Sequence, residues 1–151
     1  MGPMIAEREP GDGRRETALE RADRNLVELL QELRVAQTGV QVLFAFLLTL
    51  PFTARFASIS ALQKAVYFTT LLTTGCAAVL LIAPTSWHRI VFRRGDKEHL
   101  VEVANRFAIA GLACVALSMS GAVLLVGDVL FGAWAAIAVG AATAGGCAVL
   151  W

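Results

Sequence analysis

A row of polar side chains near the start of the first apolar stretch is the clearest candidate for chemistry. Arg34, Gln37 and Gln41 recur at i, i+3 and i+7, with Thr38 beside them, so a helix would gather all four on one side. Amide groups are costly against lipid and should face protein or water. The row therefore predicts either hydrogen bonds between helices or the lining of a pore or ligand vestibule, in which Arg34 would favour anions.

The sequence shows no pattern typical of catalysis or of metal binding. It lacks a nucleophile with an adjacent base, paired carboxylates, a phosphate-binding loop and a cluster of metal ligands. The three cysteines, Cys76, Cys114 and Cys147, lie in apolar stretches without metal-ligand spacing, so we expect them to fill a packed interior. We predict a protein that is not an enzyme and that uses no metal or cofactor.

The elements that must position the polar row are four long apolar segments. Of 151 residues, 57% are hydrophobic and 17% are charged, and a membrane-spanning helix needs about 20 mainly apolar residues. Four charge-free stretches meet that length, at 35–54, 65–87, 107–127 and 129–151. A chain of this size cannot surround four such helices with its own polar surface. The predicted fold class is therefore all-α, a four-transmembrane-helix bundle with cytoplasmic helical extensions.

The lysines and arginines predict how the chain is oriented in the membrane. Six precede the first span, two lie in the first loop, five lie in the second loop (88–106) and none lies in the third. Because basic segments are retained in the cytoplasm, an internal N-terminus places eleven of these residues inside and two outside. We expect a multi-pass protein of a bacterial cytoplasmic (inner) membrane, with both termini cytoplasmic and the lipid bilayer as its first partner.

The polar tail before the first span divides into two parts. A breaker cluster predicts that residues 1–16 are disordered, and residues 17–34 are predicted to form an amphipathic helix continuous with the first span. Leucines on that helix occupy heptad positions, which form a seam along one side. They are Leu19, Leu26, Leu29 and Leu33.

A heptad seam needs a partner, and the sequence leaves its identity open. The tail before Val35 has a net charge of −2 and the second loop one of +2, so the seam could dock on the protein's own loop. Several copies could instead associate through it, or it could take a protein partner at the cytoplasmic face. The tail is acidic and has no basic stripe, which argues against nucleic acid.

Small residues recur every four positions in the third and fourth predicted spans. In the fourth they are Gly132, Ala136, Gly140 and Ala144, and in the third they are Ala110, Cys114, Ser118 and Ala122. Such rows let helix backbones approach closely. They predict a tight antiparallel hairpin of these two helices, with a subunit interface as the alternative.

Two titratable side chains lie at the ends of predicted spans. Asp128 falls where the third and fourth spans must turn, and we expect it to face water, with a proton-binding site as the alternative. His88 follows an aromatic residue at the inner boundary, where we expect an interfacial anchor, with pH sensing as the alternative. Neither residue lies at the middle of a predicted span.

Several short segments resemble a family of small uncharacterised actinobacterial four-span membrane proteins. They include Arg21-Ala22-Asp23-Arg24-Asn25, Thr38-Gly39-Val40-Gln41, Trp87-His88-Arg89 and Ala104-Asn105-Arg106, and the resemblance covers roughly residues 20–130. Members of the family are sometimes labelled sodium:proton antiporters. That exchange needs carboxylates near the membrane midplane, which these spans lack, so the label points only to ion handling.

The leading hypothesis is a homo-oligomeric inner-membrane protein that acts as a channel or facilitator for an ion or small solute between its protomers. Arg34, Gln37, Thr38 and Gln41 would line its inner vestibule. The alternative is a membrane scaffold or accessory subunit that recruits a partner through the cytoplasmic heptad helix.

Overall fold

The structure, a computed structural model, describes residues 18–91 and 97–150, with side chains at 24–25, 27–86 and 102–150. These residues form four helices and no strand: α1 (Ala18–Thr49), α2 (Ala61–Val91), α3 (Lys97–Phe131) and α4 (Ala133–Leu150). Two short 3-10 turns, Leu50–Phe52 and Ala54–Ser58, connect α1 to α2. The predicted all-α fold is confirmed for the described part of the chain, and the tail predicted to be disordered, 1–16, lies outside it.

Each of the four helices has a stretch that is long and apolar enough to cross a membrane. These stretches are Val27–Phe52, Ala61–Ser86, Glu102–Phe131 and Ala133–Leu150. Large apolar side chains are exposed along all four, among them Phe46, Phe68, Leu117 and Trp134. So much exposed apolar surface is typical of contact with a membrane, and the chain is a membrane protein.

α1 is one unbroken helix whose inward face repeats every seven residues. Leu33, Val40 and Leu47 are 3%, 2% and 1% exposed and pack into the clusters that join the helices. A seven-residue apolar repeat keeps one stripe of a helix against its neighbours. The heptad positions predicted for the tail therefore continue through the span, on the side that faces α2 and α3.

α2 and α3 approach each other closely at two glycines of α3. A Cβ atom at Gly111 would lie 2.7 Å from Leu81 Cδ2, and a Cβ atom at Gly121 would overlap Thr70 Oγ1. Leu81 and Thr70 are themselves buried, so neither has space to move aside. The missing side chains at Gly111 and Gly121 are what allows this contact.

A single glycine connects α3 to α4. Gly132 has a φ of +88°, a left-handed conformation that glycine adopts without steric cost. Its N–H donates to Asp128 O at 3.1 Å, and its carbonyl accepts from Ala136 N at 3.1 Å. The turn therefore lies later than predicted, since Gly127 and Asp128 still belong to α3.

α4 packs on α3 and, among the described residues, on no other helix. Ala136 and Gly140 are buried there, and a Cβ atom at Gly127 of α3 would lie 3.1 Å from Ala136 Cα. Of the row predicted on α3, Cys114 packs instead into the cluster with α1 and α2, because α3 is shared by three helices and faces the centre at this residue.

Candidate functional site

The polar row lies along one side of α1, with Gln37 at the edge nearest the other helices. Arg34, Thr38 and Gln41 are exposed, whereas Gln37 is half-buried. Gln37 therefore has different surroundings from the other three residues. We call the exposed three residues the α1 polar face.

Gln37 forms a hydrogen bond between two helices. Its Nε2 donates to the backbone carbonyl oxygen of Leu81 on α2 at 2.6 Å. The buried Pro84 lies one turn further along α2, inside the helix. A proline lacks the amide hydrogen that the carbonyl four residues earlier, here that of Leu80, would accept, and its ring crowds that turn. Gln37 bonds the next carbonyl along, so it adds a polar contact between α1 and α2 in the turn that Pro84 weakens.

Gln41 is the amide of the row that this packing leaves without a partner. It is exposed and lies close to the middle of the 26-residue stretch Val27–Phe52. Its amide forms no hydrogen bond with any described residue, whereas Thr38 Oγ1 donates to Arg34 O at 3.0 Å. Leaving an amide in hydrocarbon without a partner costs roughly 4–8 kcal/mol.

Two of the four seam leucines are covered by the chain itself. Leu33 is 3% exposed in a cluster with Ala77 and Leu81, and Leu29 packs against this cluster and against Ala104 of α3. At Leu29 and Leu33 the seam therefore packs on the protein's own helices, one of the alternatives that the sequence left open. The side chains of Leu19 and Leu26 lie outside the described residues.

The four small residues predicted for helix packing on α4 have different surroundings. Ala136 and Gly140 are buried, whereas Gly132 and Ala144 are exposed. Ala144 lines a groove of about 460 Å³ between α3 and α4. The two helices are therefore in close contact near the Gly132 turn and diverge toward the C-terminal end of α4.

Side chains from three elements meet where the α1–α2 loop lies beside the Gly132 turn, a region we call the loop end. Ser60 and Gln63 cap α2 reciprocally: Ser60 Oγ accepts from Gln63 N at 3.2 Å, and Gln63 Oε1 accepts from Ser60 N at 2.8 Å. The Gln63 Nε2 group donates to Asp128 Oδ2 at 2.7 Å. Asp128 is thus half-buried and bonded to α2, unlike the water-facing turn residue that we expected.

Arg55 reaches the loop end from the α1–α2 loop. Its side chain is exposed, and its Nη2 donates to Val129 O at 3.4 Å. Although Val129 follows Asp128 in the chain, no ion pair joins Arg55 to Asp128 in the described structure. A cation and an anion therefore lie at the loop end without direct contact.

The sequence interpretation missed this group, and only part of it had a local signal. Ser60 and Gln63 have the spacing of a capping box, S-x-x-Q, which is a recognisable helix start. Arg55 and Asp128 carry no such signal, because their proximity to Gln63 and to each other depends on the lengths of the helices between them.

The remaining titratable and metal-ligating groups suggest no site. Within the described residues, no three His, Cys, Asp or Glu side chains are grouped to hold a metal ion. The cysteines are free; Cys114 and Cys147 are half-buried, but Cys76 is exposed and does not fill the interior as expected. The side chain of His88 lies outside the described residues.

A family model described as "Family of unknown function (DUF6328)" matches residues 15–151. The match covers most of the chain, so the chain belongs to this family. No curated protein and no solved structure matches it. The family description assigns no activity, so the antiporter label stays an implication of the resemblance and the function has to be argued from the structure.

Proposed function

We propose that this member of the DUF6328 family is a homo-oligomeric membrane protein that passes an ion or small solute between its copies. The α1 polar face, Arg34, Thr38 and Gln41, would line the shared path. The observation that carries this proposal is the exposed Gln41 amide near the middle of the first span. No chemical step on the solute is needed, so the proposed protein is not an enzyme.

A path through the centre of one copy has no room. Val40, Ala77 and Leu81, where α1, α2 and α3 meet, are 2%, 0% and 0% exposed. Interiors packed in this way contain few voids larger than a water molecule. A polar path would therefore run along the outside of the bundle, where a second copy could enclose it.

The α1 polar face suits such a shared surface for an energetic reason. Gln41 could bond a group on a second copy, as polar side chains do between membrane helices, or it could bond water in a path between copies. Either arrangement removes the cost of roughly 4–8 kcal/mol for an amide in hydrocarbon. Thr38 adds a hydroxyl oxygen whose hydrogen is already committed to Arg34 O.

Arg34 would determine which solutes enter. Its guanidinium group is exposed and lies on the same face as Gln41, nearer the N-terminal end of α1. A guanidinium group is permanently charged, and positive charge near a narrow path attracts anions and repels cations. We therefore propose passage of anions or neutral solutes in preference to cations.

The scaffold alternative has less support from the described residues. Leu29 and Leu33 are covered by the chain's own helices, so recruitment of a partner would depend on Leu19 and Leu26. It stays a prediction, and a pull-down with Leu26→Asp tests it: loss of a specific heterologous partner would favour scaffolding.

Flux from liposomes tests the proposed path. The full chain is reconstituted, and release of chloride, sodium, protons and small neutral solutes is compared for wild type, Gln41→Leu and Val42→Leu. Val42 is the neighbouring exposed apolar residue, so its variant controls for insertion and for added volume. We expect wild type and Val42→Leu to conduct alike and Gln41→Leu to lose most of the flux. Absence of flux for every solute, or equal flux through Gln41→Leu, contradicts the proposal.

A further inference from the structure

Two apolar grooves flank the last turns of α3 at the loop end. The first, of about 140 Å³, lies between α2 and α4 and is lined by Leu62, Val66, Leu124 and Ile137. The second, of about 180 Å³, lies between the α1–α2 loop and α3 and is lined by Leu50, Phe56, Val126 and Leu130. Leu125 lines both grooves and is 6% exposed, so the two grooves are neighbours on either side of one buried side chain.

One charged side chain lines each groove. Asp128 lines the first and Arg55 lines the second. Asp128 Oδ2 accepts a hydrogen bond from Gln63 at 2.7 Å, and Arg55 donates one at 3.4 Å to a backbone carbonyl. A carboxylate accepts about four hydrogen bonds and a guanidinium donates about five, so both groups have capacity left for a ligand.

The surroundings of Asp128 fix its position without neutralising it. Gln63 Oε1 accepts from Ser60 N at 2.8 Å, which orients the amide so that its Nε2 group faces Asp128. That bond is to a neutral group, and no ion pair joins Asp128 to Arg55 in the described structure. Two separated opposite charges, each beside an apolar groove, are complementary to a zwitterion that carries two apolar chains.

We propose that the loop end binds phosphatidylethanolamine, with its ammonium group at Asp128, its phosphate at Arg55 and one acyl chain in each groove. The loop end lies at the end of the spans, where lipid headgroups meet the hydrocarbon layer. A primary ammonium carries three N–H donors for the remaining carboxylate lone pairs. A choline headgroup has no N–H donor and a glycerol headgroup has no positive charge, so the ethanolamine headgroup fits best.

Lipid binding by the purified full chain tests this proposal. Native mass spectrometry follows titration with phosphatidylethanolamine, phosphatidylcholine and phosphatidylglycerol of identical acyl chains. The variants are Asp128→Asn, which keeps an acceptor for Gln63, and Arg55→Gln. Lys64→Gln is the matched control, because Lys64 is an exposed cation at the same end of α2 that lines neither groove. Circular dichroism confirms that each variant keeps its helix content.

We expect wild type to bind phosphatidylethanolamine about tenfold more tightly than the other two lipids, as one charge-assisted contact allows. Asp128→Asn should remove this preference, Arg55→Gln should weaken binding of all three lipids, and Lys64→Gln should change neither. Equal binding of the three lipids by wild type, or a preference that survives Asp128→Asn, overturns the proposal. Asp128-dependent binding of dodecylamine without a preference for phosphatidylethanolamine also overturns it, since the site would then take free amines. The α1 polar face takes no part in this site, so the result is independent of the proposed path.

Discussion

The Gln37 amide on α1 donates to the Leu81 carbonyl oxygen on α2 at 2.6 Å. Toward the loop end the donor lies on the other helix: Tyr67 Oη of α2 donates to the Leu47 carbonyl oxygen of α1 at 2.9 Å. Each helix thus supplies one side chain to the other's backbone. These two bonds hold α1 against α2 at two heights of the bundle.

Replacement of Gln37 by leucine should destabilise the bundle. The change removes the donor that α1 supplies to the Leu81 carbonyl, and polar contacts between membrane helices contribute about 1 kcal/mol. Gln41→Leu is the matched control at a high detergent-to-protein ratio, where copies are separated, because it makes the same chemical change without loss of a bond within the described chain. Thermal unfolding in detergent, followed by circular dichroism, should show a lower melting temperature for Gln37→Leu alone. Equal melting temperatures for the two variants would contradict the assigned role of Gln37.

Removal of the proline should make Gln37 less important. Pro84→Ala restores the backbone amide hydrogen for the Leu80 carbonyl and removes the ring that crowds this turn, so the helix itself holds the turn that contains Leu81. The decrease in stability caused by Gln37→Leu should therefore be smaller in the Pro84→Ala background than in wild type. A double-mutant cycle measures this coupling, and strictly additive effects would show that Gln37 and Pro84 act independently.

Truncation of Leu33 should destabilise the isolated protomer. Leu33 is 3% exposed against the chain's own helices, and Leu→Ala at a packed site costs about 2–5 kcal/mol. The nearby Val35 is 75% exposed, so Val35→Ala should change stability little. Unfolding is measured at high detergent-to-protein ratio, where copies are separated. If Leu33→Ala unfolds there like wild type, its partner is another molecule.

Addition of one methyl group at Gly121 should disturb the contact between α2 and α3. The new Cβ would overlap Thr70 Oγ1 and lie 3.3 Å from Thr70 Cβ, and overpacking of this kind costs about 1–3 kcal/mol. Gly145→Ala is the control, since a Cβ there meets nothing within 4 Å and alanine favours a helix. We expect Gly121→Ala to melt earlier than wild type and Gly145→Ala to melt at the same temperature or later. The reverse order would mean that α2 and α3 are not in close contact at Gly121.

The four spans could be predicted from the sequence because length and charge determine them directly. The division of the polar row could not be predicted in the same way. Gln37 and Gln41 are one turn apart with identical side chains, and which of them bonds a neighbour depends on where Leu81 lies. The repeat of Leu33, Val40 and Leu47 marks the inward face, and it places Gln37 nearer that face than Gln41.

The loop end shows a different limit of sequence interpretation. Gly127, Asp128 and Gly132 all favour a turn locally, but the structure turns only at Gly132, and Gly127 stays helical where it packs closely on Ala136 of α4. Gln63 contacts Asp128 only because α2 and α3 have matching lengths. No local sequence pattern specifies how those lengths match. Local patterns therefore predict the caps and turns available, and packing between helices selects among them.

Disulfide cross-linking through position 41 tests the central claim, that the α1 polar face lies against a second copy. Gln41→Cys and, as control, Val35→Cys are made in a chain whose three native cysteines are replaced by alanine. Both positions are exposed on α1, but Val35 lies on another side of the helix. Oxidation in native membranes should give covalent dimers for Gln41→Cys and monomers for Val35→Cys. Monomers from Gln41→Cys, or dimers formed only through Val35→Cys, would contradict the claim.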